Sequence, residues 1–467
     1  MVLKTRSFFV FLCFSLVVIG LSFPTLSFAE DRFADKVYET NLPNGLKVIL
    51  LEIHKAPVVT VQVWYRVGSR NEAWGKTGLS HLLEHMMFKG SKKFSAEDYV
   101  RIIEENGGNN NAFTSHDYTA YFVNMSADRV AIPLELEADR MRNAIFNEKE
   151  FLTEKNVVIE ERRLRTEDNP QSYLQEQTVA TAYQVHPYHW PIIGWMEDIE
   201  KITLADARAY YDRYYAPANA FLIVAGDFSR QELLPKIEKA FGHLPATIAP
   251  SQDVGQEPAQ TGERRVVVKR EGLVPALMMG YHVPNLKNPD SYVLEVIEAT
   301  LSYGKSSRFY ERLIREKQLA QRADADYSLT SRDPGLFFIS AEALPGKDLA
   351  SLEKALDEEI MRLQTEPVSP DELSKVKNQL QAGFLYGQDS VFYQAMVLAR
   401  HEIAATWKSV DDYLPSILRV TGDDVMRVAR QYLVPERRTA GILSPLPPQR
   451  DKPISPEPQV KAKGHGR

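Results

Sequence analysis

The sequence predicts a fold of mixed strands and helices built as two similar units. Apolar residues alternate in some stretches and recur at helical spacing in others. The stretch GHLPATIAPSQDVGQEPAQTG, residues 242–262, is rich in Pro, Gly and Gln, lacks any periodic apolar pattern and divides the chain. The order of elements before that divide recurs after it as strand, strand, helix, helix, strand and long helices. This indicates a duplicated unit of about two hundred residues, an ordinary domain size.

At the start of the chain, Lys4 and Arg6 precede an uncharged run from Phe8 to Phe23, and Ser27 and Ala29 then stand at the spacing of a signal-cleavage site. Residues 1–29 are read as a secretory signal, which predicts an exported protein of the bacterial periplasm or cell envelope. The apolar run is also close to the short limit of a membrane span, so an uncleaved anchor is the competing expectation. Removing the segment takes away two cations and no acid, leaving the rest of the chain more acidic than the full-length charge of −6. With that balance and no long basic run, a nucleic-acid partner is not expected. Cys13, inside the apolar run, is the only cysteine. Residues 30–467 therefore have no disulfide, no thiolate ligand and no cysteine nucleophile, and any metal must be held by imidazole and carboxylate.

The first unit is expected over 30–241. TNLPNGLKVILLEI carries an Asn-Gly turn into an apolar strand, and APVVTVQVWYRVGS comes next as an alternating one. Residues 78–89 change to helical period. SAEDYVRIIEENGG opens on a Ser cap and stops at a Gly pair, which marks a second helix. NNNAFTSHDYTAYFVNMS alternates and reads as one strand, and 128–165 reads as helix with a charged turn around Asn147. After the linker (242–263), the second unit (264–443) offers the strands RRVVVKR, ALMMGYHV and GLFFISAEAL among helices. From 444 to 467 the chain is Pro-rich and charged, too poor in large apolar residues to bury a core, and is expected to be a disordered tail.

The chemistry concentrates in HLLEH, which occurs once. Four residues advance about 400° around a helix, so His81 and His85 project from one face, one turn apart, with Glu84 beside them. Two imidazoles so placed can reach one ion while the carboxylate serves as a base, the inverted form of the zinc-peptidase motif. A helix with two surface histidines would spell the same letters, although such a match arises by chance in only about one or two chains in a hundred of this histidine content. A catalytic zinc needs a third protein ligand and an open place for water. His116, His186 and His189 are candidates. So is the acidic pair Glu154 and Glu161, seven residues apart on nearly the same helical face, although such a pair is also what a solvated helix face looks like.

GLSHLLEHMMFKGS, NNNAFTSHDYTAYF, EKNVVIEERR and HPYHWPIIGWMEDI together resemble the pitrilysin-like inverted zinc peptidases, especially the mitochondrial-processing-peptidase branch and its bacterial relatives. The match runs in order over most of residues 38–440, specific in the first half and diffuse in the second. The fold it implies is α+β: two homologous domains, each a mostly antiparallel sheet flanked by helices, enclosing a central chamber. It implies a zinc metalloendopeptidase that cleaves extended or unfolded peptides. One Zn²⁺ per chain would sit on His81, His85 and Glu161, with Glu84 as the base and Glu154 supporting the site by hydrogen bonding. Asn111, Ala112, Phe113 and Thr114 match an edge strand that binds peptide by strand addition, and Phe88 matches an aromatic residue beside the scissile bond.

The chain departs from the pattern in its second half. Catalytic members carry an Arg and a Tyr seven residues apart that hold the substrate carbonyl oxygen. LIREKQLAQRADADY supplies Arg315, but the Tyr position falls on Gln321 or Arg322. Losing such a donor costs on the order of a hundredfold. The resemblance therefore implies a homodimer or a paired homologous subunit that brings the Arg/Tyr pair. The rival expectations are a non-catalytic scaffold or binding subunit, and a zinc hydrolase of small non-peptide substrates.

Overall fold

The structure is a computed structural model that describes residues 32–272 and 274–447. The expected signal and most of the expected tail lie outside the described residues. The first unit contains α1 (Phe33–Lys36), β1 (Val37–Asn41), β2 (Lys47–Glu52), β3 (Val58–Tyr65), α2 (Leu79–Met86), α3 (Ala96–Glu105), β4 (Asn109–Thr114) and β5 (Thr119–Ser126). It continues through α4 (Ala131–Asn143), α5 (Glu148–Arg162), α6 (Pro170–Ala182), α7 (Met196–Lys201), α8 (Leu204–Tyr214), β6 (Ala220–Gly226) and α9 (Arg230–Phe241). In the second unit come β7 (Arg264–Glu271), β8 (Ala276–Val283), α10 (Asp290–Ser302), β9 (Ala320–Asp326), β10 (Gly335–Ala343) and α11 (Leu349–Thr365). After them come α12 (Pro370–Gly387), α13 (Val391–Ala404), α14 (Tyr413–Arg419), α15 (Gly422–Tyr432) and β11 (Arg438–Leu446).

Two sheets form, in the orders β1-β2-β6-β3-β5-β4 and β7-β11-β8-β10-β9. Setting β1 aside, each sheet places its strands in the same chain order: first, fifth, second, fourth, third. In both, the first and fifth strands pair parallel and every other neighbour is antiparallel. The duplication visible in the element order is thus a repeat of topology, and the α+β class holds.

Alternation along the strands feeds two cores. In β2, β3 and β6, Val48, Leu50, Val61, Val63, Leu222 and Val224 face the helices of their own unit. Ile49, Leu51, Trp64, Phe221 and Ile223 face the other way, against Ala395, Leu398 and Ala399 of α13. Helix α6 makes the reciprocal contact on β7, β8 and β11. Each unit therefore lends the helix at the same place in its order to the other's sheet, and β6 is apolar throughout because both of its faces are buried. A Cβ on Gly441 of β11 would stand 1.9 Å from Thr178 Oγ1 of α6, so a side chain there would push the helix off the sheet.

Some boundaries differ from the sequence expectation. Residues 109–126 are a hairpin, β4 and β5, because Ser115 Oγ accepts the N–H groups of Asp117 and Tyr118 and turns the chain. Strand β4 pairs only with β5 and so forms the edge of its sheet. The helical stretch 128–165, by contrast, breaks at the turn expected around Asn147, giving α4 and α5, with the Asn147 side chain capping the N–H of Glu150. The tail expected from 444 does not start there, since Ser444, Pro445 and Leu446 continue β11 in register with Lys269, Arg270 and Glu271 of β7.

A buried polar network joins the units. Arg70, 2% exposed, reaches Asp333 of the second unit at 2.6 Å and Asp117 at 3.6 Å. Tyr188 Oη donates to both oxygens of Asp117, which also accepts the N–H of Arg332. Beside this seam lies a cavity of about 390 Å³ lined by residues of both units, and next to it one of about 510 Å³ lined by the second unit; the two share Asp326, Ser328, Thr330 and Arg400.

Candidate metal centre

Helix α2 is set by its amino end. Gly78 precedes it with φ +92°, a left-handed conformation that suits glycine, and a Cβ there would meet Ile193 O at 2.6 Å. The Glu72 carboxylate accepts the N–H groups of Gly78 and Ser80, each at 2.7 Å, so two donors the helix leaves open are satisfied. Burial pushes Glu72 up to about 8 against the opposing pull of those two hydrogen bonds. Leu79, Leu82, Leu83 and Met86 are buried in the core, which turns His81 and His85 toward α5.

On α5, Glu154 and Glu161 face these histidines. Glu161 Oε2 lies 3.6 Å from His81 Nε2 and 3.5 Å from His85 Nε2. Among the described residues, His81, His85 and Glu161 are the one group of three His, Cys, Asp or Glu side chains whose ligand atoms converge, all within 4.8 Å of one another. Two ligands of a tetrahedral zinc, each about 2.1 Å from it, stand about 3.4 Å apart, so these separations fit a shared ion. The hydrogen bonding fits as well. Glu161 Oε2 is buried without a hydrogen-bond partner. Its other oxygen is held at 2.7 Å by Arg165, four residues on in the π-helical stretch Arg163–Glu167. His85 Nδ1 lies 3.2 Å from Glu154 Oε2, an arrangement that leaves Nε2 with its lone pair toward the shared space. Glu154 itself is anchored by Lys89 at 2.7 Å. Burial, with His85 adding to it, holds His81 down at about 3, so its imidazole is neutral and ready to ligate at neutral pH.

Glu84 stands beside the three without belonging to them. Burial pushes its carboxyl above the usual range, partly offset by the Thr114 hydroxyl, which donates to Oε2 at 2.5 Å. Thr114 ends β4, so the edge strand runs to Glu84. Asn111 is exposed and Ala112 and Phe113 are half-buried on the same strand. Phe88, just past α2, packs against Tyr99 and Tyr121, with the Arg140 guanidinium 5.2 Å from its ring centroid.

The remaining candidates are engaged elsewhere. His116 shares a hydrogen bond with Ser69, His186 lies against Asp333 in the seam, and His189 packs on Trp74. Arg315 is exposed and paired with Glu311, Gln321 donates to Glu342, and Arg322 pairs with Asp324. Among the described residues none of the three shares a hydrogen bond or ion pair with the histidine–glutamate group, and the structure gives Arg315 no place in it. Three contacts escape the sequence reading: Arg165 on Glu161, Glu72 on the start of α2, and the Thr114 hydroxyl on Glu84. Only the first has a spacing signal, the i,i+4 step from Glu161.

Residues 47–194 match the family model described as Insulinase (Peptidase family M16), and residues 201–380 match the one described as Peptidase M16 inactive domain. The chain is similar to the zinc protease PqqE of Helicobacter pylori (strain ATCC 700392 / 26695), 34% identical over 424 residues, which span 90% of this chain and 95% of that protein. Among solved structures it resembles a protease from Helicobacter pylori, with TM-score 0.85 and 34% identity over 88% of this chain and 99% of that one. It also resembles a peptidase M16 inactive domain from Pseudomonas fluorescens, with TM-score 0.78 over 90% of this chain and 100% of that one. At 18% identity the second likeness concerns the fold alone.

Proposed function

The chain belongs to peptidase family M16, the insulinase family, and we propose that it is a zinc metalloendopeptidase acting on extended or unfolded peptides. The observation that carries this reading is the convergence of His81, His85 and Glu161 around a shared space, with Glu161 Oε2 buried and unpaired. These three residues would hold one zinc ion, whose Lewis acidity makes a bound water far more acidic. Glu84 takes the proton of the attacking water and returns it to the departing amine, and its raised pKa brings it nearer to operating pH. The open edge of β4 offers backbone N–H and C=O groups to an extended peptide, with Asn111 to Thr114 as the docking strand and Phe88 beside the scissile bond. A folded substrate cannot present a free strand to that edge. Export to the periplasm or cell envelope is the expectation that the reading of residues 1–29 supports.

The second unit lacks a tyrosine at Gln321, and Arg315 is tied to Glu311. The chain therefore acts as the metal-bearing member of a homodimer or of a pair with a homologous subunit that supplies a carbonyl-oxygen donor. The zinc-loaded protein is expected to cut an internally quenched, unstructured peptide, to stop when zinc is chelated and to resume when zinc returns. Absence of cleavage by fully loaded protein, alone and with a paired subunit, would favour a binding or scaffold role. Glu154→Gln is expected to weaken zinc binding by about 10- to 100-fold, read by competition with a chromophoric chelator, because a neutral amide polarises His85 less.

A further inference from the structure

We propose that Thr114 is a positioning residue for Glu84, a role that rests on Glu84 acting as the base. The Thr114 hydroxyl donates to Glu84 Oε2 at 2.5 Å, and among the described residues it is the only side chain hydrogen-bonded to that carboxylate. A hydroxyl bonded to a carboxylate is a short, charge-assisted contact that fixes the acceptor's orientation. The donor is fixed too, since a β-branched side chain has little freedom about χ1. Its backbone is held from beneath by Thr119 of β5, directly opposite in register, whose buried hydroxyl donates to Val67 O at 2.9 Å. The hydroxyl is therefore placed by the sheet and not by a loop.

This contact has two consequences for the reaction. With Oε2 engaged by Thr114, Oε1 is the carboxylate atom left to receive the proton from water and to return it to the amine. A peptide added along β4 would lie about 4.8 Å away, one strand spacing. The residue that orients the base thus belongs to the strand that sets the height of the scissile carbonyl, and one side chain ties the two positions together.

The test compares Thr114→Val, which keeps the shape and loses the hydroxyl, with Thr114→Ser, which keeps the hydroxyl, both in the zinc-loaded full chain on a quenched peptide. Valine should lower kcat by about 10- to 100-fold with KM changed by less than about twofold and zinc content unchanged. Serine should restore kcat to within about threefold of the parent. A valine variant with parental kcat, a serine variant as slow as valine, or a loss confined to KM would overturn the proposal. Binding of an uncleaved peptide should be equal in Glu84→Gln and in Glu84→Gln/Thr114→Val; weaker binding by the double variant would mean that Thr114 serves the strand and not the base. Failure of the underlying reading would show separately, as parental turnover by Glu84→Gln alone.

Discussion

Glu84→Gln is expected to leave zinc bound and to lower kcat on an unstructured peptide by about 10²- to 10⁴-fold. The substitution keeps the size of the side chain and an oxygen for the Thr114 hydroxyl, and removes the capacity to accept a proton from water. It touches none of the three converging atoms, which belong to His81, His85 and Glu161. It also replaces a buried carboxylate whose pKa is pushed up mainly by burial with a neutral group, so the melting temperature should be unchanged or higher. Folding, metal content and turnover are thus separated in one variant. Turnover equal to the parent's would remove Glu84 from the role of base.

The second large effect is expected at Glu161. A structural zinc site is worth about 10–16 kcal/mol shared among its ligands, so losing one ligand should cost about 3–4 kcal/mol, or two to three decades of affinity. Glu161→Gln removes the proposed anionic ligand and leaves Arg165 facing an amide. Zinc should then be withdrawn by a chelator that the parent resists. The stabilisation that zinc gives the parent, about 2.7 kcal/mol at a hundred times Kd, should vanish from the melting curve at the same zinc concentration. Glu160, exposed and paired with Arg163 on another side of α5, serves as the control, and Glu160→Gln should bind zinc as the parent does. A Glu161→Gln variant with parental affinity would point to a different ligand set.

Much of this site was legible because helical spacing is a strong constraint. Four residues separate His81 from His85 and seven separate Glu154 from Glu161, so each pair had to share a face once α2 and α5 formed. Which acid would meet the imidazoles was not decided by spacing, because that depends on how α2 and α5 pack. In the structure Glu161 Oε2 lies about equally far from the two Nε2 atoms, and Glu154, two turns earlier, reaches the far nitrogen of His85. His116 and His186 carried the same chemical promise in sequence, yet His116 bonds Ser69 within the first unit and His186 lies against Asp333 in the seam between the units. The repeated strand order could be anticipated from the repeated element order. The exchange of α6 and α13 could not, since an apolar helical stripe says that a face is buried and not against which sheet. The β4–β5 turn was hidden for a local reason: Ser115 to Tyr118 are polar residues inside an alternating stretch, and the side-chain hydrogen bonds of Ser115 bend the chain there.

The proposed chemistry depends on one divalent ion shared by two helices, and zinc stoichiometry tests it most directly. Protein purified, reconstituted with zinc and exhaustively dialysed should contain one zinc per chain by elemental analysis, and His81→Ala/His85→Ala should contain none. A metal-free parent after that treatment, or a double variant that still holds its zinc, would contradict the shared-ion site.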